Sequence, residues 1–303
     1  MDLQVITTYL QEHMPGKFFL QEAMSKHTSF RIGGPADLLI APTTEAEVAQ
    51  VVTKVRNCQL PLTVIGNGSN LLVRDKGIRG VVVKLGNNLK HMQCSGTTLT
   101  AEAGVSLAAV SNQAALCSLT GLEFAVGIPG SLGGAVYMNA GAYDGEMKNV
   151  VTSVRVMTEQ GVFKTITNQD LAFSYRHSIL QSTQDIITSV ELKLVKGQNE
   201  LIQEKMADFT NRRLNKQPVN LPSAGSMFKR PPGYYAGALI EGAGLKGYRV
   251  GDAQVSEKHA GFVVNMGKAT AQDVLQLIKD VQEKVFAASG QHLEPEVKII
   301  GEE

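Results

Sequence analysis

Several features that would point to a specialised class of protein are scarce in this sequence. Tryptophan is absent from the 303 residues, and cysteine occurs only at Cys58, Cys94 and Cys117. An odd number of widely spaced cysteines without a C-x-x-C pair suggests neither a disulfide framework nor a zinc site. We therefore expect these three side chains to be reduced and buried, and we assign no metal.

Charge of a single sign is also lacking, because 29 basic residues are balanced by 28 acidic ones. A surface that binds nucleic acid normally produces a basic excess, so we expect no nucleic-acid partner. No apolar stretch approaches the roughly 18 residues of a membrane span, and residues 1–4 do not resemble a secretory leader. The sequence therefore predicts a soluble, cytoplasmic protein without a membrane partner.

Glycine, by contrast, is abundant. The chain has 30 glycines, about 10% of its residues against a usual 7% or so. Of these, 18 lie within residues 61–80, 121–145 and 221–251. The position of these glycines therefore directs the search for a site.

Hydrophobic periodicity predicts a mixture of helices and strands. Residues 37–41 and 62–65 are predicted strands on either side of a helix that Thr44 and Glu47 open with a capping box, which is the pattern of a β-α-β unit. Meander-like strands follow, so the predicted fold class is α+β rather than doubly wound. Further strands are predicted over 81–85, 99–103, 150–157, 187–195, 261–265 and 297–300, and helices over 106–119, 200–216, 234–241 and from 270 onward.

Two familiar motifs occur in contexts that do not suit them. Residues 242–247 satisfy G-x-G-x-x-G but follow a predicted helix, whereas a dinucleotide-binding loop follows a strand and opens a helix. Ser226 and Lys229 match the S-x-x-K pattern of penicillin-binding enzymes, yet Pro231 and Pro232 truncate any helix there. We interpret the first motif as a helix C-cap and turn, and a serine acyl-transferase is a distant alternative for the second.

Two other glycine-rich loops are better candidates for binding an anionic cofactor. Glycine lets the backbone approach phosphates closely, and Asn and Ser add side-chain donors, as in anion-binding nests. Two such loops in one region favour a dinucleotide. The first loop comprises Gly66, Asn67, Gly68, Ser69 and Asn70, and the candidate contacts of the second are Gly127, Pro129, Gly130, Ser131, Gly134 and Ala135.

These loops belong to a longer series of motifs that resembles the UDP-N-acetylenolpyruvoylglucosamine reductase family, in its shorter form without a tyrosine-bearing loop. The resemblance covers nearly the whole chain. In order, the motifs are His27-Thr28-Ser29-Phe30-Arg31-Ile32-Gly33-Gly34-Pro35-Ala36, Gly66-Asn67-Gly68-Ser69-Asn70, Gly127-Ile128-Pro129-Gly130, Tyr175-Arg176-His177-Ser178, Ala224-Gly225-Ser226-Met227-Phe228-Lys229 and Leu293-Glu294-Pro295-Glu296-Val297.

The resemblance implies a vanillyl-alcohol-oxidase/PCMH-type FAD-binding region over residues 1–212, made of two α+β subdomains that divide near residue 75. A smaller α+β substrate-binding domain over residues 213–303 would follow it. The implied activity is a reductase that binds FAD non-covalently and uses NADPH as co-substrate. It would reduce the enolpyruvyl group of UDP-N-acetylglucosamine enolpyruvate to UDP-N-acetylmuramate, a peptidoglycan precursor.

Roles for individual residues also follow from the resemblance. Arg176, assisted by Glu296, would stabilise the negative charge that develops on the substrate carboxylate, because a guanidinium holds a carboxylate in fixed geometry. Ser226 would donate the proton to the adjacent carbon. Tyr175 and Lys229 would contact the substrate.

Arg213 is a further expected contact to cofactor or nucleotide. Apart from NADPH and the sugar nucleotide we expect no partner, and we expect a monomer. The alternatives are an FAD-dependent oxidase of the same fold that acts on an alcohol or sugar, and a catalytically silent flavin-binding module.

Overall fold

A computed structural model describes residues 3–303 as a mixture of helices and strands, and within this range no helix is long and apolar enough to cross a membrane. The helices are α1 (Leu3–His13), α2 (Glu45–Asn57), α3 (Leu107–Leu116), α4 (Leu132–Tyr137), α5 (Asn199–Lys216), α6 (Ala236–Gly242) and α7 (Ala271–Ser289). The strands are β1 (Phe18–Ala23), β2 (Pro35–Ile40), β3 (Leu62–Ile65), β4 (Leu71–Val73), β5 (Ile78–Lys84), β6 (Met92–Ser95), β7 (Thr98–Glu102), β8 (Leu119–Thr120), β9 (Gly141–Ala142), β10 (Gly145–Glu146), β11 (Val151–Met157), β12 (Phe163–Thr167), β13 (Ile186–Lys193), β14 (Val195–Lys196), β15 (Ser223–Ser226), β16 (Arg249–Val250), β17 (Ala253–Val255), β18 (Phe262–Asn265) and β19 (Lys298–Ile300).

The chain divides into two compact units. Unit 1 contains residues 3–19, Leu38–Asn67 and Gly80–Arg212, and unit 2 contains Leu20–Asp37, Gly68–Arg79 and Arg213–Glu303. Two short N-terminal segments therefore join the C-terminal residues in unit 2, an interleaving that the sequence does not predict.

A five-stranded antiparallel sheet forms the centre of unit 1. Its order is β12-β11-β13-β7-β6. In β13, Val190 and Leu192 are buried while Glu191 and Lys193 are exposed, which is the alternation that the sequence predicts for a sheet with one covered face. Helices α3 and α4 contribute Val110 and other buried side chains to the core beneath it.

The predicted β-α-β unit is present, but its strands are not neighbours. The sheet order is β1-β2-β5-β3, so β5 lies between the two strands that α2 connects. Helix α2 buries four valines that are at most 1% exposed, each stabilising the fold by about 1.5–3 kcal/mol. The Thr44 hydroxyl caps this helix by accepting a hydrogen bond from the Glu47 amide. The Glu47 carboxylate, however, accepts from the Thr43 amide and not from the Thr44 amide, so the prediction of a reciprocal capping box is wrong.

Unit 2 is built on a second antiparallel sheet, of order β15-β18-β17-β16, with α7 packed on its core. A reciprocal capping box between Thr270 and Asp273 opens α7, and Gly290 ends it with a φ of 69°. The tract over 66–80, which the sequence presents as a loop, contains β4, and β4 pairs in parallel with the C-terminal β19. This strand could not be predicted from the sequence, because three residues are too few to show a hydrophobic periodicity.

Other expectations need smaller corrections. Helix α6 begins at Ala236 rather than at Tyr234, and α3 ends at Leu116 rather than at residue 119. The three cysteines are free, as expected, but each is only partly buried. Residues 242–247 form the end of α6 and a turn, with positive φ at Gly244 and Gly247, so the G-x-G-x-x-G match is not a nucleotide-binding loop.

Candidate cofactor and substrate sites

The first glycine loop begins where β3 ends, and in unit 1 it meets two other segments with no room for side chains. A Cβ atom on Gly66 would lie 2.2 Å from Ser131 Oγ, and one on Gly86 would lie 2.2 Å from Asn67 Oδ1. The backbone at 66–67, the glycine at 86 and the start of α4 therefore form one close-packed cradle. Gly86 is a member that sequence reasoning missed, and its signal is the Gly-Asn-Asn run after β5.

Asn67 carries an unmet polar group in this cradle. Its Oδ1 atom is buried and has no hydrogen-bond partner among the described residues. An unsatisfied buried acceptor costs about 1–3 kcal/mol, and such a group needs an explanation. A ligand hydroxyl or N–H would satisfy it, so the cradle fits a cofactor that carries such donors, as the ribityl chain and isoalloxazine of FAD do.

The second loop enters α4 through Ser131, whose hydroxyl accepts a hydrogen bond from the Gly134 amide at 3.4 Å. Gly130 has a φ of 136°, and its carbonyl accepts from the Leu107 amide at 3.0 Å, which ties the loop to the start of α3. Ala135 is 6% exposed and lies in the hydrophobic core. The loop is therefore fixed on its inner side, while Gly127 is only partly buried and Pro129 is exposed.

Tyr175 and Arg176 occupy the two central positions of a tight turn in unit 1. Ser174 and His177 close this turn with two backbone hydrogen bonds of 3.1 Å. Arg176 has a φ of 55°, its guanidinium lies 5.0 Å from the centroid of the Tyr175 ring, and Nη2 is 3.5 Å from the Gly141 carbonyl oxygen. The turn thus presents one cation and one half-exposed aromatic ring together.

In unit 2, the segment that follows β15 pairs with the segment that precedes β19. The Glu296 amide donates to the Met227 carbonyl at 2.8 Å, and the Lys229 amide donates to the Glu294 carbonyl at 2.8 Å. Glu296 therefore lies opposite the residue next to Ser226. The structure brings these two predicted residues, about 70 positions apart in the chain, into one region of unit 2.

The end of the first glycine loop lies in the same region. Asn70 Nδ2 donates to the Glu296 carbonyl at 3.2 Å, and the Lys298 amide donates to the Asn70 carbonyl at 2.9 Å. Ser226 is exposed at the end of β15, directly after Gly225, which has a φ of 79°. Lys229 forms an ion pair with the exposed Glu294, so its charge is already partly compensated.

The remaining predicted residues have simpler settings. A Cβ on Gly68 would lie 2.2 Å from the His27 carbonyl oxygen, so the glycine is required by a close approach. Ser69 is partly buried, and Arg213 is a partly buried residue of α5 in unit 2. Within residues 3–303, no group of three or more His, Cys, Asp or Glu side chains is arranged to hold a metal ion.

Two family profiles match the chain. The profile of the UDP-N-acetylenolpyruvoylglucosamine reductase C-terminal domain matches residues 217–300, and that of the FAD binding domain matches residues 36–167. The second match accords with the cradle in unit 1. It confirms the prediction of an FAD-binding region.

Similar proteins were found along nearly the full length. UDP-N-acetylenolpyruvoylglucosamine reductases from Caldanaerobacter subterraneus subsp. tengcongensis and Agathobacter rectalis are 52% and 51% identical, over 95% and 99% of both chains. The crystal structure of this reductase from Thermus caldophilus superposes with a TM-score of 0.80 at 38% identity, over 93% of this chain and 97% of its own.

A more distant structure supports the fold class alone. Alkyldihydroxyacetonephosphate synthase aligns with 65% of this chain and 41% of its own, at 15% identity and a TM-score of 0.50. The predicted α+β fold with a vanillyl-alcohol-oxidase/PCMH-type FAD-binding region is confirmed. From the full-length identity together with both profile matches, the chain belongs to the UDP-N-acetylenolpyruvoylglucosamine reductase family.

Proposed function

We propose that this chain reduces the enolpyruvyl group of UDP-N-acetylglucosamine enolpyruvate to UDP-N-acetylmuramate, with NADPH as co-substrate. The observation that best supports this proposal is the 52% identity, over 95% of the chain, to a UDP-N-acetylenolpyruvoylglucosamine reductase. The relatives that match over 95% and 99% of this chain carry the name of this reductase, and an oxidase has no use for a proton donor at Ser226. The reductase is therefore favoured over both alternatives.

FAD would be held without a covalent bond by the cradle of unit 1. Gly66 and Gly130 would give it backbone access, the unmatched Asn67 Oδ1 would accept a hydrogen bond from it, and the Ser131 hydroxyl, which accepts from the Gly134 amide, would donate its proton to it. The wider contact set that we propose also includes Gly68, Ser69, Asn70, Gly127, Pro129, Gly134, Ala135 and Arg213. When bound, this cofactor supplies the hydride-transfer chemistry.

Arg176 would hold the substrate carboxylate. As hydride adds to the methylene carbon, negative charge builds on that carboxylate, and a guanidinium already in place strengthens its contact without reorganisation. Glu296 in its protonated form would donate a second hydrogen bond to the same group. Tyr175 lies beside Arg176 and would cover part of the bound substrate.

Ser226 would supply the proton to the carbon that bears the carboxylate. Its hydroxyl is exposed at a strand end, and Gly225 before it leaves open space on one side. Lys229 would contact the diphosphate, exchanging its ion pair with Glu294 for one with the ligand. In domain terms, residues 1–212 would bind FAD, and residues 213–303 would bind the sugar nucleotide.

The cellular setting follows from the substrates rather than from the fold. Because NADPH and UDP-sugars are cytoplasmic metabolites, we propose that the enzyme acts in the cytoplasm, as a monomer, in the synthesis of peptidoglycan precursors for cell shape and division. No macromolecular partner is needed for this reaction.

The two half-reactions of Ser226→Ala test the proposal. We expect anaerobic reduction of the flavin by NADPH to be unchanged and reoxidation by the enolpyruvyl sugar to fall by roughly 100-fold or more, since general acid catalysis contributes about that much. Ser223→Ala, on the same strand, is the matched control and should leave both rates intact. Equal loss in both half-reactions for Ser226→Ala would contradict the proton-donor role.

A further inference from the structure

Asn139, just after the end of α4, is a buried polar residue with no role in the mechanism above. It is 0% exposed, and its φ is 42°. Its Oδ1 accepts from the Lys148 amide at 3.0 Å, while Nδ2 donates to Glu146 Oε2 at 2.8 Å and to the Ser174 carbonyl at 3.0 Å. One donor and two acceptors surround the amide, so only an amide in this orientation satisfies all three partners.

The Ser174 contact links Asn139 to the turn that carries Arg176. Ser174 is the residue that closes this turn with His177. The same segment holds the turn from its other side, because the Tyr137 carbonyl accepts from Ser178 Oγ and from Gln181 Nε2, both at 2.9 Å. Residues 137–139 therefore clamp the turn on both flanks.

Backbone strain is concentrated in the same place. Ten non-glycine residues within 3–303 have positive φ, and five of them are Asn139, Tyr143, Asp144, Ala172 and Arg176. Non-glycine residues keep a positive φ, at a conformational cost of about 1–3 kcal/mol each, only where the surrounding structure holds them. The Asn139 amide is one such holding group for the Arg176 turn.

We propose that Asn139 is a positioning residue, which fixes the turn so that the Arg176 guanidinium meets the substrate carboxylate in the productive geometry. This inference rests on the proposed role of Arg176. Displacement of a catalytic group by about 1 Å can lower a rate by about 100-fold. Loss of the Asn139 tether should therefore act on the half-reaction that Arg176 serves and spare the other.

Three variants separate tethering from general stability. Asn139→Ala removes every contact of the amide. Asn139→Asp places a carboxylate against Glu146 and the Ser174 carbonyl. The double variant Asn139→Asp/Glu146→Gln restores a hydrogen bond between positions 139 and 146 in the reverse direction, with the donor now at 146, but leaves two acceptors facing each other at Ser174.

Asn168→Ala is the matched control. Asn168 also ties backbone together, through Nδ2 to the Lys148 and Val151 carbonyls at 2.9 and 2.7 Å, but the contacts of this amide do not include the turn. It should lower thermal stability to a similar extent and leave the ratio of the two half-reaction rates at the wild-type value.

The experiment measures both half-reactions anaerobically, together with hydrogen exchange of the amides in 174–178. For Asn139→Ala and Asn139→Asp we expect flavin reduction by NADPH within about twofold of wild type, reoxidation by the enolpyruvyl sugar lowered roughly 10- to 100-fold, and faster exchange of the His177 amide. The double variant should regain thermal stability without regaining the reoxidation rate.

Equal loss in both half-reactions, or unchanged exchange over 174–178, would overturn the positioning role. Full recovery of reoxidation in the double variant would do the same. Failure of the proposed function gives a different result, because wild-type enzyme would then fail to be reoxidised by the enolpyruvyl sugar, while hydrogen exchange would still report whether Asn139 holds the turn.

Discussion

Gly66→Ala tests whether the cradle in unit 1 holds the cofactor. The new Cβ would lie 2.2 Å from Ser131 Oγ and 3.3 Å from Ser131 Cβ, whereas ordinary contact begins at 3.4 Å. The hydroxyl must therefore move by about 1 Å or rotate away, which breaks its hydrogen bond to the Gly134 amide. Loss of such a helix N-cap costs about 1 kcal/mol.

Because the same hydroxyl is a proposed cofactor contact, we expect FAD affinity to fall by about tenfold or more, which corresponds to about 1.4 kcal/mol. The assay is fluorescence titration of FAD-depleted protein with FAD. Gly242→Ala is the matched control, since its Cβ would meet nothing within 4 Å and it lies in the decoy G-x-G-x-x-G motif. Wild-type FAD affinity in Gly66→Ala, or an equal loss in Gly242→Ala, would show that the cradle does not hold FAD.

Three further predictions concern stability and side-chain chemistry. Burial lowers the pKa of His259 below 6.5, so the unfolded chain binds a proton before the folded chain does, and the melting temperature should fall as the pH drops below that value. His259→Asn should reduce this pH dependence, and an unchanged pH profile in the variant would contradict a role for His259. Burial, aided by the neighbouring Cys117, raises the pKa of Cys94 to about 11, so iodoacetamide should label Cys94 slowly at mildly alkaline pH and faster as the pH rises. Peptide mass spectrometry measures the labelling, and rapid labelling near neutral pH would contradict a raised pKa. Thr270→Ala removes a hydroxyl that caps α7 and should lower the free energy of unfolding by about 1 kcal/mol in urea titration, whereas no loss would show that the cap is dispensable.

The regular elements of the fold were predictable because their residues face one covered surface. Helix α2 buries its valines at helical spacing, and β13 alternates buried and exposed side chains, so periodicity alone locates both. Strand β4 was missed because its pairing with β19 joins residues more than 200 positions apart, and nothing local encodes a long-range parallel pair. The interleaving of the two units could not be predicted either, because it also depends on contacts between residues far apart in the chain.

The candidate site divides along similar lines. Glycine-rich loops stand out in the composition, so the sequence alone identifies Gly66 and Gly130 as candidates. The sequence does not identify Asn139, because a single asparagine after a helix is ordinarily a capping or turn residue. Its importance depends on contacts to Glu146 and Ser174, which only the folded chain brings together.

We propose that the reduced flavin of this protein passes its electrons to an enolpyruvyl sugar nucleotide. The most direct test reduces the FAD-loaded protein anaerobically with NADPH, adds UDP-N-acetylglucosamine enolpyruvate, and follows flavin absorbance and product by mass spectrometry. We expect rapid reoxidation with one UDP-N-acetylmuramate formed per FAD. A flavin that stays reduced until oxygen is admitted would contradict it.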